Sequence, residues 1–379
     1  MNIEDIQKLS TIETPAYVVD TRLLEKNLKL LREVQDKSGC KILLALKGFS
    51  MHQAFPLVGN YLEGITSSSL FEARLGYEYM GKEVHIYAPA YKDSEIDEIM
   101  SYCGHMVFNS VAQYHKFRDK ALDLGIECGI RINPEYSEVE TEIYDPCATN
   151  SRLGTTLQNL EDADLEGLSG LHFHTMCEQN SDTLERTLKV VEEKFSHLFD
   201  KIKWINFGGG HHITRPNYDV EKLINIIKKF KEKYNLEVYL EPGEAIALNT
   251  GYLVAEVLDI VKNNMNIAIL DTSAACHMPD VLEMPYRPEI ENGFLSSEKE
   301  YTYRLAGHTC LAGDVIGDYS FEKPLKVGDK LIFKDMAHYT MVKNNTFNGV
   351  NLPSIMVMDD NDITLVKSFN FDDYKSRLS

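Results

Sequence analysis

The sequence predicts an α/β chain, a (β/α)8 TIM-like barrel followed by a C-terminal all-β domain that also takes the N-terminal strand. Two observations support this fold class. Candidate strands and helices alternate between residues 22 and 250, and short β-rich runs separated by turn residues replace that alternation afterwards. We therefore expect a barrel at residues 22–250 and a β-domain built from residues 1–21 and 251–379. A doubly wound open sheet is the alternative for the first domain, because the strand count decides between the two.

The barrel elements follow from the pattern of apolar residues. An extended segment ends at Asp20, and Asp20 or Thr21 can cap the first helix. The first barrel strand is an unbroken apolar run from Ile42 to Leu46, the pattern of a strand buried on both faces. Seven more candidate strands lie near residues 61–66, 84–88, 105–108, 126–132, 168–173, 202–207 and 236–240. The clearest helices lie at residues 22–34, 70–80, 110–124, 183–199 and 220–234. Eight strands over about 230 residues suit a (β/α)8 barrel.

Five β-rich runs after residue 250 predict the second domain. They lie at residues 253–261, 267–270, 301–305, 330–333 and 354–358. Turn residues such as Pro324 and Gly328 separate them. The extended segment before Asp20 can add a strand to this domain.

Composition and charge exclude several classes of protein. The chain has 379 residues and a formal net charge of −19, which argues against a nucleic-acid partner because such proteins carry basic faces. Its seven cysteines are odd in number and none has CxxC spacing, so neither a disulfide framework nor a zinc ribbon is expected. The N-terminus does not resemble a signal peptide and no apolar run would span a bilayer. We therefore expect a cytoplasmic protein without a membrane partner.

The chemically unusual residues follow the predicted barrel strands, where (β/α)8 enzymes place their active sites. Lys47 follows the first strand, and burial there would lower the pKa of its ammonium and favour a nucleophilic amine. A surface lysine just past the strand is the plainer interpretation. His172 and His174 end the sixth strand, Gly208-Gly-Gly210 the seventh and Glu241 the eighth. Since strands six, seven, eight and one are neighbours in a closed barrel, these residues should line one arc of its mouth.

Each motif has a chemical use and a structural alternative. The three glycines offer backbone N–H groups to a phosphate, or form only a tight turn. Glu241 could keep a pyridinium nitrogen protonated, or cap the next helix. A histidine can stack on a flat ring, or be only a hydrogen-bonded residue of the core. His172, His174, His211 and His212 together also permit a metal-site interpretation. Against a metal, no acidic residue has an obvious ligand spacing to them.

These motifs together specify one cofactor, pyridoxal 5′-phosphate (PLP), held covalently by Lys47. The glycine loop suits its phosphate, a histidine suits the face of its ring, and Glu241 suits its ring nitrogen. A metal would leave the lysine and the glycines unexplained. The polar link at residues 133–155 contains Ser151-Arg152-Leu-Gly154 and is a candidate functional loop.

The order of these motifs resembles that of the fold-type III PLP decarboxylases, which include ornithine, arginine and diaminopimelate decarboxylases of the alanine-racemase fold. The matching segments are Ala45-Leu-Lys47, Phe173-His174, Gly208-Gly-Gly210, Glu241-Pro-Gly243, Cys310 with Asp314, and Tyr339 with Thr346-Phe-Asn-Gly349. They cover nearly the whole chain. Residues 45–50, 172–178, 206–212 and 277–280 resemble the small bacterial polyamine branch of this family.

The resemblance implies a role for each matching residue. Lys47 would be the Schiff-base lysine, His174 would stack on the PLP ring, and Glu241 would pair with the pyridine nitrogen. The PLP phosphate would be held by Gly209, Gly210 and Tyr339. These enzymes are homodimers with shared active sites, so Cys310 would reach the site of the partner subunit and could reprotonate the carbanion.

One position departs from the family pattern. Larger members commonly follow the Glu-Pro-Gly motif with an arginine, whereas this chain has Glu244. The phosphate contact of that arginine would fall to Arg152 or to backbone N–H groups. Glu244, Asp280 and Asp314 are then candidates for binding the ammonium groups of a polycationic substrate.

The polyamine branch implies decarboxylation of carboxynorspermidine and carboxyspermidine, two carboxylated triamines, to norspermidine and spermidine. A diaminopimelate-type, ornithine-type or alanine-racemase-like enzyme is the first alternative. A diaminopimelate-type or racemase-like enzyme would need a cationic residue to bind a second carboxylate of its substrate. The acidic Glu244 argues against both. A metal-dependent barrel hydrolase and a non-catalytic regulatory homologue are the remaining alternatives.

Overall fold

The computed structural model describes residues 1–379, which divide into two compact units. One unit, the barrel unit, comprises residues Glu25–Ile246, and the other, the β-unit, comprises Met1–Leu24 with Ala247–Ser379. None of the helices combines the length and the apolar character needed to cross a bilayer. The domain bounds expected from the sequence, 22–250 for the barrel and 1–21 with 251–379 for the β-domain, stay a prediction.

The barrel unit contains a closed barrel of eight parallel strands in sequential order, which confirms the predicted fold class. Strands are numbered along the chain from β1 (Ala16–Asp20), which lies in the β-unit. The barrel strands are β2 (Lys41–Ala45), β3 (Gly64–Ser67), β4 (Glu83–Tyr87), β5 (His105–Phe108), β6 (Glu127–Arg131), β7 (Leu168–His172), β8 (Trp204–Asn206) and β9 (Glu237–Leu240). β9 pairs with β2 and closes the ring, so the open-sheet alternative is wrong.

Helices alternate with these strands, and several begin at a side-chain cap. Ser110 accepts a hydrogen bond from the Gln113 N–H at 3.2 Å, and Asp219 accepts one from the Lys222 N–H at 2.9 Å, which satisfies N–H groups that the helix cannot pair itself. In chain order the first nine helices are α1 (Ile3–Leu9), α2 (Thr21–Ser38), α3 (Phe55–Gly59), α4 (Leu70–Tyr79), α5 (Ile96–Tyr102), α6 (Val111–Asp123), α7 (Ser181–Phe195), α8 (Val220–Tyr234) and α9 (Glu244–Ala247).

Among the predicted boundaries that differ from the structure, two have a clear physical cause. The strand expected at 61–66 begins only at Gly64, because the N–H groups of Tyr61 and Leu62 donate to the Val58 carbonyl and complete a turn after α3. The helix expected at 183–199 ends at Phe195 and continues as a 3₁₀ segment, Ser196–Lys201. Hydrophobic periodicity alone does not separate the turn after α3 from the start of β3, or the end of α7 from the 3₁₀ segment that follows it.

The barrel interior is filled by a layer of side chains around Trp204. This residue packs in a cluster with Leu43, Val107 and Tyr239, all buried. A Cβ at Gly170 would lie 2.1 Å from the Trp204 ring and one at Gly129 would lie 2.4 Å from it. The two glycines therefore make room for the indole, and the interior is a packed core below the mouth.

The β-unit is built on one mixed nine-stranded sheet. Its other strands are β10 (Gly251–Asn263), β11 (Met265–Leu270), β12 (Phe294–Leu295), β13 (Tyr301–Ala306), β14 (Val315–Phe321), β15 (Lys330–Lys334), β16 (Ser354–Met358) and β17 (Ile363–Lys367). Its short helices are α10 (Ala274–His277), α11 (Asp280–Glu283), α12 (Thr340–Lys343) and α13 (Phe371–Lys375). β1 pairs antiparallel with β10 and parallel with β16, so the N-terminal strand joins this sheet as predicted.

Candidate active site

A cavity of about 580 Å³ opens at the carboxyl ends of the barrel strands. Its volume falls in the range of small-molecule sites. Six of the residues singled out from the sequence line it together, namely Lys47, Arg152, His172, His174, Gly209 and Glu241. Residues of the long link at 142–153 form another part of its wall. Barrel closure thus brings together residues that are up to 194 positions apart, from Lys47 to Glu241.

Lys47 lies in the turn that follows β2. The turn packs against the chain after β9, since the Ala45 N–H donates to the Pro242 carbonyl at 3.1 Å and a Cβ at Gly48 would lie 3.0 Å from Gly243. The Lys47 side chain is exposed to the cavity rather than sealed in the core, which corrects the expectation of a buried lysine. The surrounding walls still exclude much of the water and, with the nearby Arg131 guanidinium, lower the pKa of the Lys47 ammonium.

Glu241 is a buried carboxylate held from two sides. His172 Nε2 lies 3.0 Å from one oxygen, and the Asn206 amide donates to the other at 2.7 Å. Burial by itself would raise the pKa of Glu241, but the interactions with His172 outweigh it and lower the pKa to about 2. Glu241 is therefore an anion at neutral pH, and its two hydrogen bonds fix its direction.

The two histidines predicted to point the same way have different surroundings. His172 is buried against Glu241, and its Nδ1 has no hydrogen-bond partner. His174 lines the cavity, and its Nδ1 accepts a hydrogen bond from the Gly209 N–H at 3.0 Å. The proton of a neutral His174 ring must then sit on Nε2. Burial lowers the pKa of both histidines, so both rings are neutral at neutral pH.

The glycine loop presents backbone rather than side chains to the site. Gly208 and Gly210 have φ angles of +72° and +81°, in the left-handed region that favours glycine. A Cβ at Gly209 would lie 2.6 Å from the Glu241 carbonyl oxygen. The Asn206 side chain accepts a hydrogen bond from the Gly208 N–H at 2.8 Å and so links the loop to the carboxylate. Gly209 lines the cavity, whereas Gly210 does not.

Sequence reasoning missed Arg131, Tyr87 and Asn206. The buried Arg131 ends β6, its guanidinium lies 4.6 Å from the centre of the Tyr87 ring, and it donates to the His174 carbonyl at 3.3 Å. Arg131 and Tyr87 both line the cavity. The signal was present, because each of the three residues lies at or near the carboxyl end of an apolar strand, as Lys47 does.

Glu244 lies in the barrel unit but does not line the cavity. It begins α9, and one of its oxygens lies 3.5 Å from His212 Nε2. The four histidines considered as metal ligands do not form a cluster with converging ligand atoms, and His211 Nε2 lies 3.3 Å from the Phe207 carbonyl.

The other predicted site residues belong to the β-unit, where each has its own surroundings. Cys310 is exposed, and its N–H donates to the Asn348 side chain at 2.7 Å. Asp280 forms an ion pair with Lys343. Tyr339 is half-buried and adopts a φ of +51°, which is unusual for an aromatic residue.

Asp314 is buried, and its carboxylate is already well bonded. It accepts hydrogen bonds from the Thr309 hydroxyl at 2.6 Å and from the Ser273 hydroxyl at 2.8 Å. These bonds tie together two loops of the β-unit. A substrate role for Asp314 stays a prediction, as does that of Asp280.

The residues of the cavity fit PLP. The anionic Glu241 suits a protonated ring nitrogen, and the lowered pKa of Lys47 suits an amine that must react with an aldehyde. Gly209 leaves one side of the cavity lined by backbone, which a phosphate can approach closely. Aromatic and imidazole rings from Tyr87, His172 and His174 line the same cavity as partners for a flat ring.

Comparisons with known proteins agree with this chemistry. The family model described as pyridoxal-dependent decarboxylase, C-terminal sheet domain, matches residues 16–337. A carboxynorspermidine/carboxyspermidine decarboxylase of Campylobacter jejuni is 50% identical over 378 residues, covering 97% of this chain and 98% of the relative. A carboxyaminopropylagmatine decarboxylase of Synechocystis sp. is 42% identical over 381 residues, covering 100% of this chain and 98% of the relative.

One solved structure is similar over nearly the whole chain. The crystal structure of carboxynorspermidine decarboxylase from Campylobacter jejuni, complexed with norspermidine, has a TM-score of 0.90 and 49% identity. The match covers 97% of this chain and 100% of that one.

Proposed function

Since the chain belongs to the pyridoxal-dependent decarboxylases, we propose that it acts on carboxynorspermidine and carboxyspermidine and releases norspermidine and spermidine. The chain is a carboxy-lyase and PLP is its cofactor. The substrate assignment is supported above all by the relative that is 50% identical over nearly the full length and bears both substrates in its name. Membership of this family displaces the metal-dependent hydrolase as an alternative.

Different residues of the cavity would contact different parts of PLP. PLP, when bound, supplies an electron sink for the electron pair that remains when the bond to the carboxylate breaks. Glu241 would hold the proton on the pyridine nitrogen, since its low pKa keeps it an anion at neutral pH. His174 would lie beside the ring, and Lys47 would provide the amine that holds the cofactor.

The phosphate of PLP would be held where backbone N–H groups are accessible. Gly209 lines the cavity and would present its backbone to the phosphate, and Arg152 in the cavity wall would offer a cation. The family resemblance adds Gly210, which does not line the cavity, and Tyr339 as further contacts. Arg152 thus takes the place of the arginine that larger family members carry after the Glu-Pro-Gly motif.

Acidic residues would select the substrate. Carboxylated triamines carry several ammonium groups, and Glu244, Asp280 and Asp314 are our candidates for binding them. The formal net charge of −19 would raise the local concentration of a polycation.

We further propose that the protein is a cytoplasmic homodimer with shared active sites, as the family resemblance implies. Cys310 is exposed, as a residue that reaches the partner's site must be, and it would deliver the final proton to the substrate carbon. Full decarboxylase activity in a protein that is monomeric in solution would contradict a shared active site.

The covalent role of Lys47 can be tested by visible spectroscopy of the purified protein. Wild type should show an absorption band of bound PLP that borohydride removes, and Lys47→Ala should lack it. Lys92→Ala, which changes an exposed lysine paired with Glu95, is the matched control and should keep the band. Colourless wild-type protein that gains no band with added PLP would contradict the proposal.

Substrate order is tested by comparing turnover of carboxynorspermidine, carboxyspermidine, carboxyaminopropylagmatine, ornithine and diaminopimelate. We expect the first two to give the highest kcat/KM. The third is included because its decarboxylase in Synechocystis is 42% identical to this chain. Preference for ornithine or diaminopimelate would refute the assignment while leaving the PLP chemistry intact.

A further inference from the structure

Three side chains that could bind a metal ion lie at the end of the barrel opposite the candidate active-site cavity. Glu83 and His85 are two residues apart on β4 and so point to the same face of the strand. His105 begins β5 and is the direct ladder partner of His85. Tyr87, the last residue of β4, lines the active-site cavity, and along the strand it is about 13 Å from Glu83 and about 7 Å from His85.

These three side chains point into the barrel. The His85 ring lies 4.7 Å from the Tyr239 ring, and the His105 ring lies 5.5 Å from the Trp204 ring. Tyr239 and Trp204 come from β9 and β8, which do not neighbour β4 or β5, so the contacts cross the interior. The cluster is therefore held in place by the packed layer around Trp204.

The ligand atoms converge. Glu83, His85 and His105 each offer one ligand atom, and these atoms all lie within 4.8 Å of one another. His85 Nε2 is 3.3 Å from Glu83 Oε2. Two ligands bound tetrahedrally to one zinc ion lie about 3.3 Å apart, so this pair already has the separation that the ion requires.

The surroundings of the cluster favour a bound ion. His85 is 1% exposed, and because its Nδ1 has no hydrogen-bond partner, the ligand atom Nε2 makes the only hydrogen bond of the ring. Lys41 Nζ binds the other Glu83 oxygen at 2.6 Å and also contacts Glu237 at 3.0 Å. Lys41 thereby orients Glu83, as outer partners of metal ligands commonly do. Glu83 and His105 are half-buried, so an ion can reach the cluster from solvent.

We propose that Glu83, His85 and His105 bind a divalent transition-metal ion of the zinc class at the amino-terminal end of the barrel. Two imidazoles and a carboxylate are ligands that zinc accepts, and a water molecule would complete a tetrahedral set. The His85 and His105 rings stack with centroids 4.0 Å apart, and a small tilt of the rings would direct both lone pairs at one ion. The ion would tie β4 to β5 and stabilise the fold without entering the decarboxylation.

Metal binding can be measured on the purified holoenzyme after chelator treatment and dialysis. Wild type should bind one equivalent of Zn²⁺, show the visible bands of tetrahedral cobalt when Co²⁺ is used as the probe, and gain on the order of 5 °C in Tm at saturating Zn²⁺. His105→Gln and Glu83→Gln should each weaken binding about 100-fold or more and abolish the Tm gain. The PLP absorption band of each variant reports whether the barrel has folded.

Two control variants make the test specific. His197→Gln changes an exposed histidine, and Glu237→Gln removes a carboxylate that contacts Lys41 but lies outside the three ligands. Both should keep wild-type metal affinity. Equal affinity in wild type, His105→Gln and Glu83→Gln would overturn the proposal, as would an equal loss in Glu237→Gln, which would indicate general attraction to acidic groups. Failure of wild type to bind either metal would overturn it as well.

Discussion

At the scale of single residues, the chemistry of the candidate site depends on which groups are paired. Glu241 is held by His172 and Asn206, whereas Lys47 faces the cavity with a lowered pKa. A fixed anion and a reactive amine can therefore coexist in one cavity. Asn206 is the link, because it contacts both the carboxylate and the glycine loop.

We expect Asn206→Ala to weaken PLP binding about tenfold, since it removes one of the two hydrogen bonds that direct Glu241 and the bond that holds the Gly208 N–H. The measurement is the PLP dissociation constant from absorbance titration of the apoenzyme. Asn159→Ala, an exposed position, is the control. An unchanged constant in Asn206→Ala would show that His172 alone suffices to hold the carboxylate.

Glu244→Gln should raise KM for carboxynorspermidine about tenfold and leave PLP affinity unchanged, because the residue is proposed to bind an ammonium group of the substrate. Steady-state kinetics and PLP titration separate the two effects. Glu178→Gln, an exposed acid in the same unit, is the control. Lost PLP affinity with an unchanged KM would reassign Glu244 to the cofactor.

At the scale of elements, the candidate site residues lie at the ends of the barrel strands, and the residues within the strands pack the barrel interior. Lys47, Arg131, His172, Asn206 and Glu241 all lie at or just beyond the carboxyl ends of barrel strands. Below them, Trp204 occupies the interior because Gly129 and Gly170 lack side chains. The mouth is thus supported by a packed layer.

Gly170→Ala should destabilise the protein by about 3 kcal/mol, because the new Cβ would lie 2.1 Å from the Trp204 ring and the indole has little room to shift. Gly104→Ala is the control, since a Cβ there would meet nothing within 4 Å. Urea unfolding monitored by tryptophan fluorescence measures both, and Trp204 is the single tryptophan of the chain. Equal midpoints for the two variants would show that the interior can repack.

At the scale of the whole molecule, the buried anion links stability to pH. Folding lowers the pKa of Glu241 to about 2, below its ordinary value. A carboxylate with a lowered pKa contributes stability that is present above the ordinary pKa and is lost as pH falls through the folded value. The lowered pKa of His172 acts in the same direction, because protonation of this histidine also favours the unfolded chain.

Stability should therefore begin to fall below about pH 6.5, where His172 contributes, and continue to fall between about pH 5 and pH 2, where Glu241 should account for up to about 3 kcal/mol of the loss. Glu241→Gln should show a shallower dependence of the free energy of unfolding on pH across this range. Glu4→Gln, whose side chain is 74% exposed, should keep the wild-type slope. Identical slopes in wild type and Glu241→Gln would contradict the low pKa.

Much of the fold was predictable because its signals are local. The apolar run at Ile42–Leu46 and the helical spacing near Leu28 each lie within a short stretch of chain. β12, β14 and β17 were missed, because β12 has only two residues, β14 is interrupted by Gly317 and Asp318, and most residues of β17 are exposed. The predicted roles of Cys310, Tyr339, Asp280 and Asp314 stay predictions.

The sequence by itself determined the barrel with its β-domain and the PLP chemistry, because strand periodicity and the residue types at strand ends are local properties. Only the tertiary structure decided that His172 rather than His174 binds Glu241, that Arg131 and Asn206 join the site, and that His85 pairs with His105. These contacts depend on strand register and barrel closure. Both arise from pairing between distant segments, which a single local pattern does not encode.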